Sequence, residues 1–173
     1  MSVNLKNTAA AAGLAMASAF SANAAIQEID LDQMAYDAAA ECIAQNPEGP
    51  EACIRAEMVT LTSRHIQDLR EQIKQSDFVV PQAQIDTMVC MIQAIPDLAA
   101  VHYDIMMKAH DHGVESIISG DQQDYEALTD FLIASMNTSN DCTTQHMPGQ
   151  PLKDVDAMLY QMDLVRAMIL APE

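Results

Sequence analysis

Three side chains that could bind a soft metal ion follow one another at helical spacing. His102, Met106 and His110 stand four residues apart, so in a helix they form a ridge along one side. Imidazole and thioether ligands together suit copper, Cu(I) above all. Because three residues in a row on one helix do not converge, a further ligand would have to come from elsewhere. The alternative interpretation is that Met106 packs at the edge of a core and that the histidines are ordinary surface residues.

Four cysteines offer a second kind of chemistry, Cys42, Cys53, Cys90 and Cys142. In an exported chain, an even number of cysteines is most simply explained by disulfide bonds. Of the three possible pairings we expect Cys42–Cys53 and Cys90–Cys142. The first pair flanks residues 45–50, which contain two prolines and a glycine and form a strong turn signal. Cys90 falls on the polar side of its predicted helix, where a loop that carries Cys142 could reach it.

Acidic residues are the most abundant charged groups. The chain has 25 Asp and Glu against 8 Lys and Arg, a formal net charge of −17. Such a surface repels nucleic acid and anionic lipid headgroups and favours basic protein partners or cations. Asp121, Asp124, Glu126 and Asp130 crowd one predicted helix and are our candidate contact residues for a basic partner. The alternative interpretation of this charge is solubility outside the cell.

Sequence signatures of common enzymes are absent. The chain has no GxSxG elbow, no HExxH helix, no glycine-rich phosphate loop and no dinucleotide fingerprint. It also has no CxxC or CxxCH spacing and no EF-hand loop. With all four cysteines paired, none is free to act as a nucleophile. We therefore expect a non-enzymatic protein without a catalytic site or a bound cofactor.

The first 24 residues have the pattern of an export signal. A polar start with Lys6 precedes an apolar run over residues 8–20, and small residues at Ala22 and Ala24 mark a cleavage site. The apolar run is shorter than the roughly 20 residues of a membrane-spanning helix. Because the segment holds Lys6 and no acidic residue, its removal changes the net charge from −17 to −18. We expect a periplasmic or secreted domain over residues 25–173, without a transmembrane span.

Apolar residues recur with the period of a helix throughout that domain, and no strand pattern competes. The pattern predicts a bundle-like, all-α domain of about six helices over residues 30–45, 50–75, 85–95, 96–112, 121–137 and 152–170. Asp30 is a predicted N-cap, and the segment Ser119-Gly120-Asp121 is predicted to cap the fifth helix. Pro96 is predicted to break the chain into two helices, and Gly113 to end the second. Residues 138–151 are predicted to be a polar loop that carries Cys142, His146 and Met147.

The predicted buried faces follow from the same 100° rotation per residue. Thr87 is assigned to the polar side of its helix and Val101 to the buried side. The last helix is expected to bury an arc formed by Val155, Met158, Leu159, Met162, Val165 and Ile169. The core would be rich in methionine, of which the chain has 13, and methionine packs adaptably.

These observations favour an exported, disulfide-stapled binding protein. Its acidic surface would meet a protein partner that is basic, as an inhibitor or immunity-type protein meets a basic toxin. The alternative function is a periplasmic copper-binding or copper-handling protein that uses His102, Met106 and His110.

Overall fold

The fold is entirely helical over the residues that the computed structural model describes, 31–76 and 79–171. The helices are α1 (Leu31–Gln45), α2 (Glu51–Gln75), α3 (Gln82–His112), α4 (Val114–Ser119), α5 (Gln122–His146) and α6 (Val155–Leu170). Six helices without a strand in these residues confirm the predicted fold class. The predicted export signal and the predicted cap Asp30 lie outside the described residues.

The longest helix, α3, is the centre of the domain. It contacts α1, α2, α4 and α5. The short connection between α2 and α3 places these two helices side by side and antiparallel. Cys90 is linked to Cys142 and Lys108 pairs with Asp124, so residues of α5 meet those of α3 in reverse order. Three long antiparallel helices therefore form the framework.

Both predicted disulfides are confirmed. Cys42 and Cys53 join α1 to α2 across their turn, with their Cα atoms 5.6 Å apart. Cys90 and Cys142 join α3 to α5, with a Cα separation of 5.8 Å. We expected the second bond to fix a loop that carries Cys142. Cys142 lies within α5 instead. The bond links the two long helices directly.

The predicted break at Pro96 is wrong. Helix α3 runs through Pro96, and its backbone leaves helical geometry only at His102, with φ −117° and ψ 19°. A proline inside a helix removes one backbone hydrogen bond. Pro96 is buried, and the packing of α3 against its neighbours offsets that loss. Gly113 ends α3 as predicted, with φ 79°.

The predicted polar loop over residues 138–151 is also wrong in its first half. Asp121 caps α5 as expected, since its carboxylate accepts a hydrogen bond from the Asp124 backbone N–H at 2.9 Å. The helix then continues to His146. Its polar residues remain helical because Ser139 and Cys142 are buried and Cys142 is bonded to Cys90 of α3. Helix α4, between Gly113 and Gly120, was not predicted.

The core has two parts. The first lies where α1, α2 and α3 meet and contains Ala39, Cys42, Ile54, Met58 and Ala99. The second lies between α3, α4 and α5 and contains Ile105, Ile117 and Leu128.

Two predictions about the faces of α3 fail. Thr87 is buried, because α3 has neighbours on more than one side, and its hydroxyl donates to the Ala83 carbonyl at 2.8 Å. Val101 is 68% exposed. The non-helical backbone at His102 follows it directly, so the regular 100° rotation does not hold across that point.

Candidate functional site

The predicted metal ridge is spread over three different neighbours. The His102 ring meets the Phe131 ring of α5 edge-on, with centroids 5.6 Å apart. Met106 packs against the first core cluster. The His110 ring stacks on Tyr36 of α1 at 3.9 Å. His102 is therefore turned toward α5 and His110 toward α1, so the three side chains do not surround one point.

The ridge does not coincide with a cluster of histidine, cysteine and carboxylate ligands in the described residues. Within residues 31–76 and 79–171, no cluster of three or more His, Cys, Asp or Glu side chains could hold a metal ion. Burial lowers the pKa of His102 below its ordinary value of 6.5, while the nearby negative charge of Asp130 raises it. His102 in its neutral form could bind a metal ion. The three side chains of the ridge nevertheless lack the geometry of a closed metal site.

The four acidic candidates on α5 form two pairs instead of one surface. Asp121 caps the helix and Asp124 forms an ion pair with Lys108, so this pair is turned toward α3. A rotation of 100° per residue places Glu126 about 160° and Asp130 about 120° away from Asp124 around the helix. Glu126 accepts a hydrogen bond from Gln122 at 2.8 Å, and Asp130 is exposed. Only Glu126 and Asp130 are therefore presented together to solvent.

The inner side of α6 is anchored by one polar cluster. The Tyr125 hydroxyl donates to Asp163 Oδ1 at 2.7 Å. The Arg166 guanidinium lies over the Tyr125 ring, 4.1 Å from its centroid, and donates to the Gly120 carbonyl at 3.3 Å. Burial, followed by the hydrogen bond to Asp163, raises the pKa of Tyr125 to about 12. This cluster holds α6 against α4 and α5, which are its main contacts.

The outer side of α6 is apolar and uncovered. We call it the outer seam, formed by Ala157, Tyr160, Leu164, Ala167 and Met168. All five residues are exposed, and Tyr160, Leu164 and Met168 keep 70%, 49% and 71% of their surface. None of the residues of α6 is fully buried. An exposed apolar patch of this kind marks an interaction surface more often than isolated apolar residues do.

Sequence reasoning missed the outer seam although the signal was present. Within the predicted arc, Val155, Met158, Leu159, Met162 and Ile169 are partly buried, while Val165 is 36% exposed and lies outside the core. The opposite side of the same helix carries apolar residues at a spacing of three, four and three. A helix that is apolar on both sides has more apolar surface than one neighbour can cover.

One partly buried histidine has an unsatisfied atom. His65 lies in α2, and its Nδ1 atom is buried without a hydrogen-bond partner. Burial lowers its pKa below 6.5, and the charge of Asp68 opposes this shift.

Comparisons with protein families, with characterised proteins and with solved structures find no match to this chain. No helix in the described part of the chain combines the length and apolar composition needed to cross a membrane. All four cysteines are in disulfides. The candidate site therefore rests on the surface itself: unpaired acidic residues and the outer seam of α6.

Proposed function

We propose that this protein is an exported, non-enzymatic binding protein whose acidic surface meets a basic protein partner. The observation that carries this proposal is the excess of carboxylates without a basic neighbour. The chain has 25 acidic and 8 basic residues. Among the described residues, only Asp97, Glu71 and Asp124 form ion pairs with a lysine or an arginine. The negative field of the other carboxylates is available to attract a basic partner.

The negative electrostatic field of this surface would act on the rate at which the protein and its partner associate. A strongly negative surface accelerates association with a basic protein, and salt slows that association by screening. Pairing with a partner of opposite charge also relieves repulsion among the carboxylates. An inhibitor or immunity-type protein that neutralises a basic toxin is one activity that fits this chemistry.

Export is supported by two features. The first 24 residues have the pattern of a signal peptide. Two disulfides, which persist mainly in oxidising compartments, are compatible with the periplasm or the extracellular medium.

Copper binding through His102, Met106 and His110 is the alternative function, and the geometry gives it less support. His102 and His110 contact α5 and α1 respectively, and Met106 packs into the core. A copper site would require these contacts to be broken.

The decisive experiment is purification from the native organism, followed by partner mass spectrometry and metal analysis. We expect a basic partner whose association rate falls by about tenfold or more when salt rises from about 20 to 300 mM, because the Debye length shrinks over this range. An association rate that does not change with salt would contradict the proposal. Stoichiometric copper in the purified protein would favour the alternative.

A further inference from the structure

We infer that the outer seam of α6 binds a helix of the basic partner, with the apolar residues of both helices interdigitating. This inference rests on the proposed function and names the surface that would perform it. The contact would be a short coiled coil, in which each helix presents an apolar stripe to the other.

The spacing of the seam is that of a coiled-coil helix. Ala157, Tyr160, Leu164 and Ala167 follow one another at intervals of three, four and three. This is the repeat that keeps apolar residues facing a partner helix. The two alanines stand at the ends of the stripe and leave room there for the partner's side chains, while Tyr160 and Leu164 form its centre. Met168 lies beside the stripe and widens it.

The charges beside the seam identify the kind of partner. In the same repeat, the helical positions that flank the stripe hold Asp156, Gln161 and Asp163, and Asp163 also accepts the hydrogen bond from Tyr125. Asp154 caps the start of the helix and adds a third carboxylate there. Flanking charges set the choice of partner in coiled coils. The single basic residue of the helix, Arg166, is turned inward over the Tyr125 ring. A partner helix with lysine or arginine at its own flanking positions therefore fits. The nearest basic residue in sequence that would repel such a partner is Lys153, which precedes the helix.

A second copy of this chain fits less well. Two copies of α6 would bring the flanking aspartates of one helix beside those of the other, and like charges repel. The formal charge of −17 on each chain adds a longer-range repulsion. The seam is also short, since the eleven residue steps from Ala157 to Met168 span roughly 16 Å at 1.5 Å per residue. So short a contact needs attraction between the flanks.

The test uses designed helical peptides as probes. The first has three heptads with leucine in the stripe and lysine at the flanking positions. The second carries glutamate at those positions, and the third has the composition of the first in scrambled order. Anisotropy of the labelled peptides measures binding to the full protein. We expect the lysine peptide to bind and the glutamate and scrambled peptides to bind at least tenfold more weakly, roughly the effect of 1.4 kcal/mol.

Two sets of variants locate the contact. Leu164→Ser with Met168→Ser should weaken binding of the lysine peptide about tenfold or more, since both side chains lose their apolar contact. The matched control is Val59→Ser with Val101→Ser, which changes two apolar residues that are 49% and 68% exposed elsewhere. It should leave binding within about twofold. Circular dichroism checks that all variants keep the helical fold.

A charge reversal gives a readout that loss of folding cannot imitate. Asp156→Lys should weaken the lysine peptide and strengthen the glutamate peptide. Equal binding of the scrambled peptide, or no effect of the seam variants, would overturn the inference. So would a dimer of this chain, measured by sedimentation, that the seam variants dissociate.

Failure of this inference can be told apart from failure of the proposed function. A native basic partner that binds the seam variants as tightly as the unmodified protein, with the same salt dependence, overturns the seam and leaves the proposed function standing. Seam-dependent binding of the lysine peptide, together with a native partner that is not basic, supports the seam and contradicts the proposed function.

Discussion

Single residues in this protein show how burial acts on ionisable groups. His65 lies in α2, next to the buried Ile66, and its Nδ1 atom is buried and unpaired. A buried polar atom without a partner costs about 1–3 kcal/mol. His65 is therefore a site where an apolar residue should be preferred.

We predict that His65→Leu raises the free energy of unfolding by about 1 kcal/mol, because it removes the unpaired nitrogen. The measurement is urea unfolding at pH 7. His112→Leu is the matched control: His112 is exposed, and its replacement should change stability by less than about 0.5 kcal/mol. Destabilisation by His65→Leu would show that this nitrogen has a partner in solution.

The same substitution should change the dependence of stability on pH. Burial lowers the folded-state pKa of His65 below its unfolded value of 6.5. Protonation of His65 therefore destabilises the fold, so stability is highest above pH 6.5 and declines as the pH falls through the folded-state pKa. His65→Leu should make the decline between pH 6.5 and more acidic values shallower. A decline remains, because the pKa of His102 is lowered by burial in the same direction.

Tyr125 has the opposite behaviour at high pH. Its pKa is raised to about 12, first by burial and then by the hydrogen bond to Asp163. Stability from the protonated phenol is fully present below pH 10 and is lost as the pH rises toward 12. We predict that Tyr125→Phe lowers the free energy of unfolding by about 1 kcal/mol at pH 7, the value of one hydrogen bond.

Urea unfolding of both proteins from pH 7 to 11 tests this prediction. The stability advantage of the unmodified protein should be constant up to about pH 9 and should shrink above pH 10, where an unfolded tyrosine ionises. An advantage that does not shrink would mean that the hydroxyl of Tyr125 is not held against Asp163.

For the helices, the sequence predicts the boundaries well where the apolar periodicity alone determines them. The boundaries of α2 differ from the prediction by one residue, because a continuous apolar stripe and strong turn signals define that helix. The prediction fails where tertiary packing overrides local preference. Pro96 and the polar residues near Thr143 have poor helix propensity, yet both lie in long helices whose buried residues and disulfide hold them in place.

The outer seam of α6 could have been found from the sequence, and the anchor beneath it could not. The intervals of three and four residues from Ala157 to Ala167 are visible in the chain. The cluster of Tyr125, Asp163 and Arg166 joins residues 38 positions apart or more. No local pattern predicts such a contact, because it depends on how α6 folds back on α5.

The two disulfides connect helices over very different lengths of chain, and we predict different effects of their removal. Cys42–Cys53 has a sequence separation of 11 and Cys90–Cys142 a separation of 52. In the chain-entropy model, loss of these bonds costs roughly 3 and 4 kcal/mol. The experiment compares urea unfolding of Cys42→Ala/Cys53→Ala with that of Cys90→Ala/Cys142→Ala.

The comparison is close to matched, because one cysteine in each pair is almost fully buried, Cys42 at 1% and Cys142 at 2% exposure. Cavities left by the substitutions should therefore be similar. A larger loss from removal of Cys42–Cys53 would indicate that native packing at the α1–α2 turn, and not the length of the closed loop, determines how much each bond stabilises the fold.

For the whole molecule, repulsion among carboxylates is the dominant electrostatic effect. A formal charge of −17 opposes the compact state. Few basic residues relieve it, and the pairs that form are largely at the surface, where ion pairs contribute little. A protein that binds a basic partner would carry this repulsion in its free form and lose it in the complex.

This repulsion predicts that a reversal of one acidic residue stabilises the free protein. Glu126 and Asp130 stand one turn apart on the exposed side of α5 and repel each other. Asp130→Lys replaces that repulsion with a Glu–Lys pair in the favourable order and changes the net charge from −17 to −15. We expect the free energy of unfolding at about 10 mM salt to rise by about 0.5 kcal/mol or more.

Asp141→Lys separates the effect of the local pair with Glu126 from the effect of net charge. It makes the same change in net charge, but no acidic residue stands three or four positions from Asp141, so its gain should be the smaller one. Both gains should shrink as salt rises, because the Debye length falls from about 30 Å at 0.01 M to about 10 Å at 0.1 M. If the gains persist unchanged at high salt, repulsion among the carboxylates is not what limits stability, and an acidic field able to steer a basic partner loses its main support.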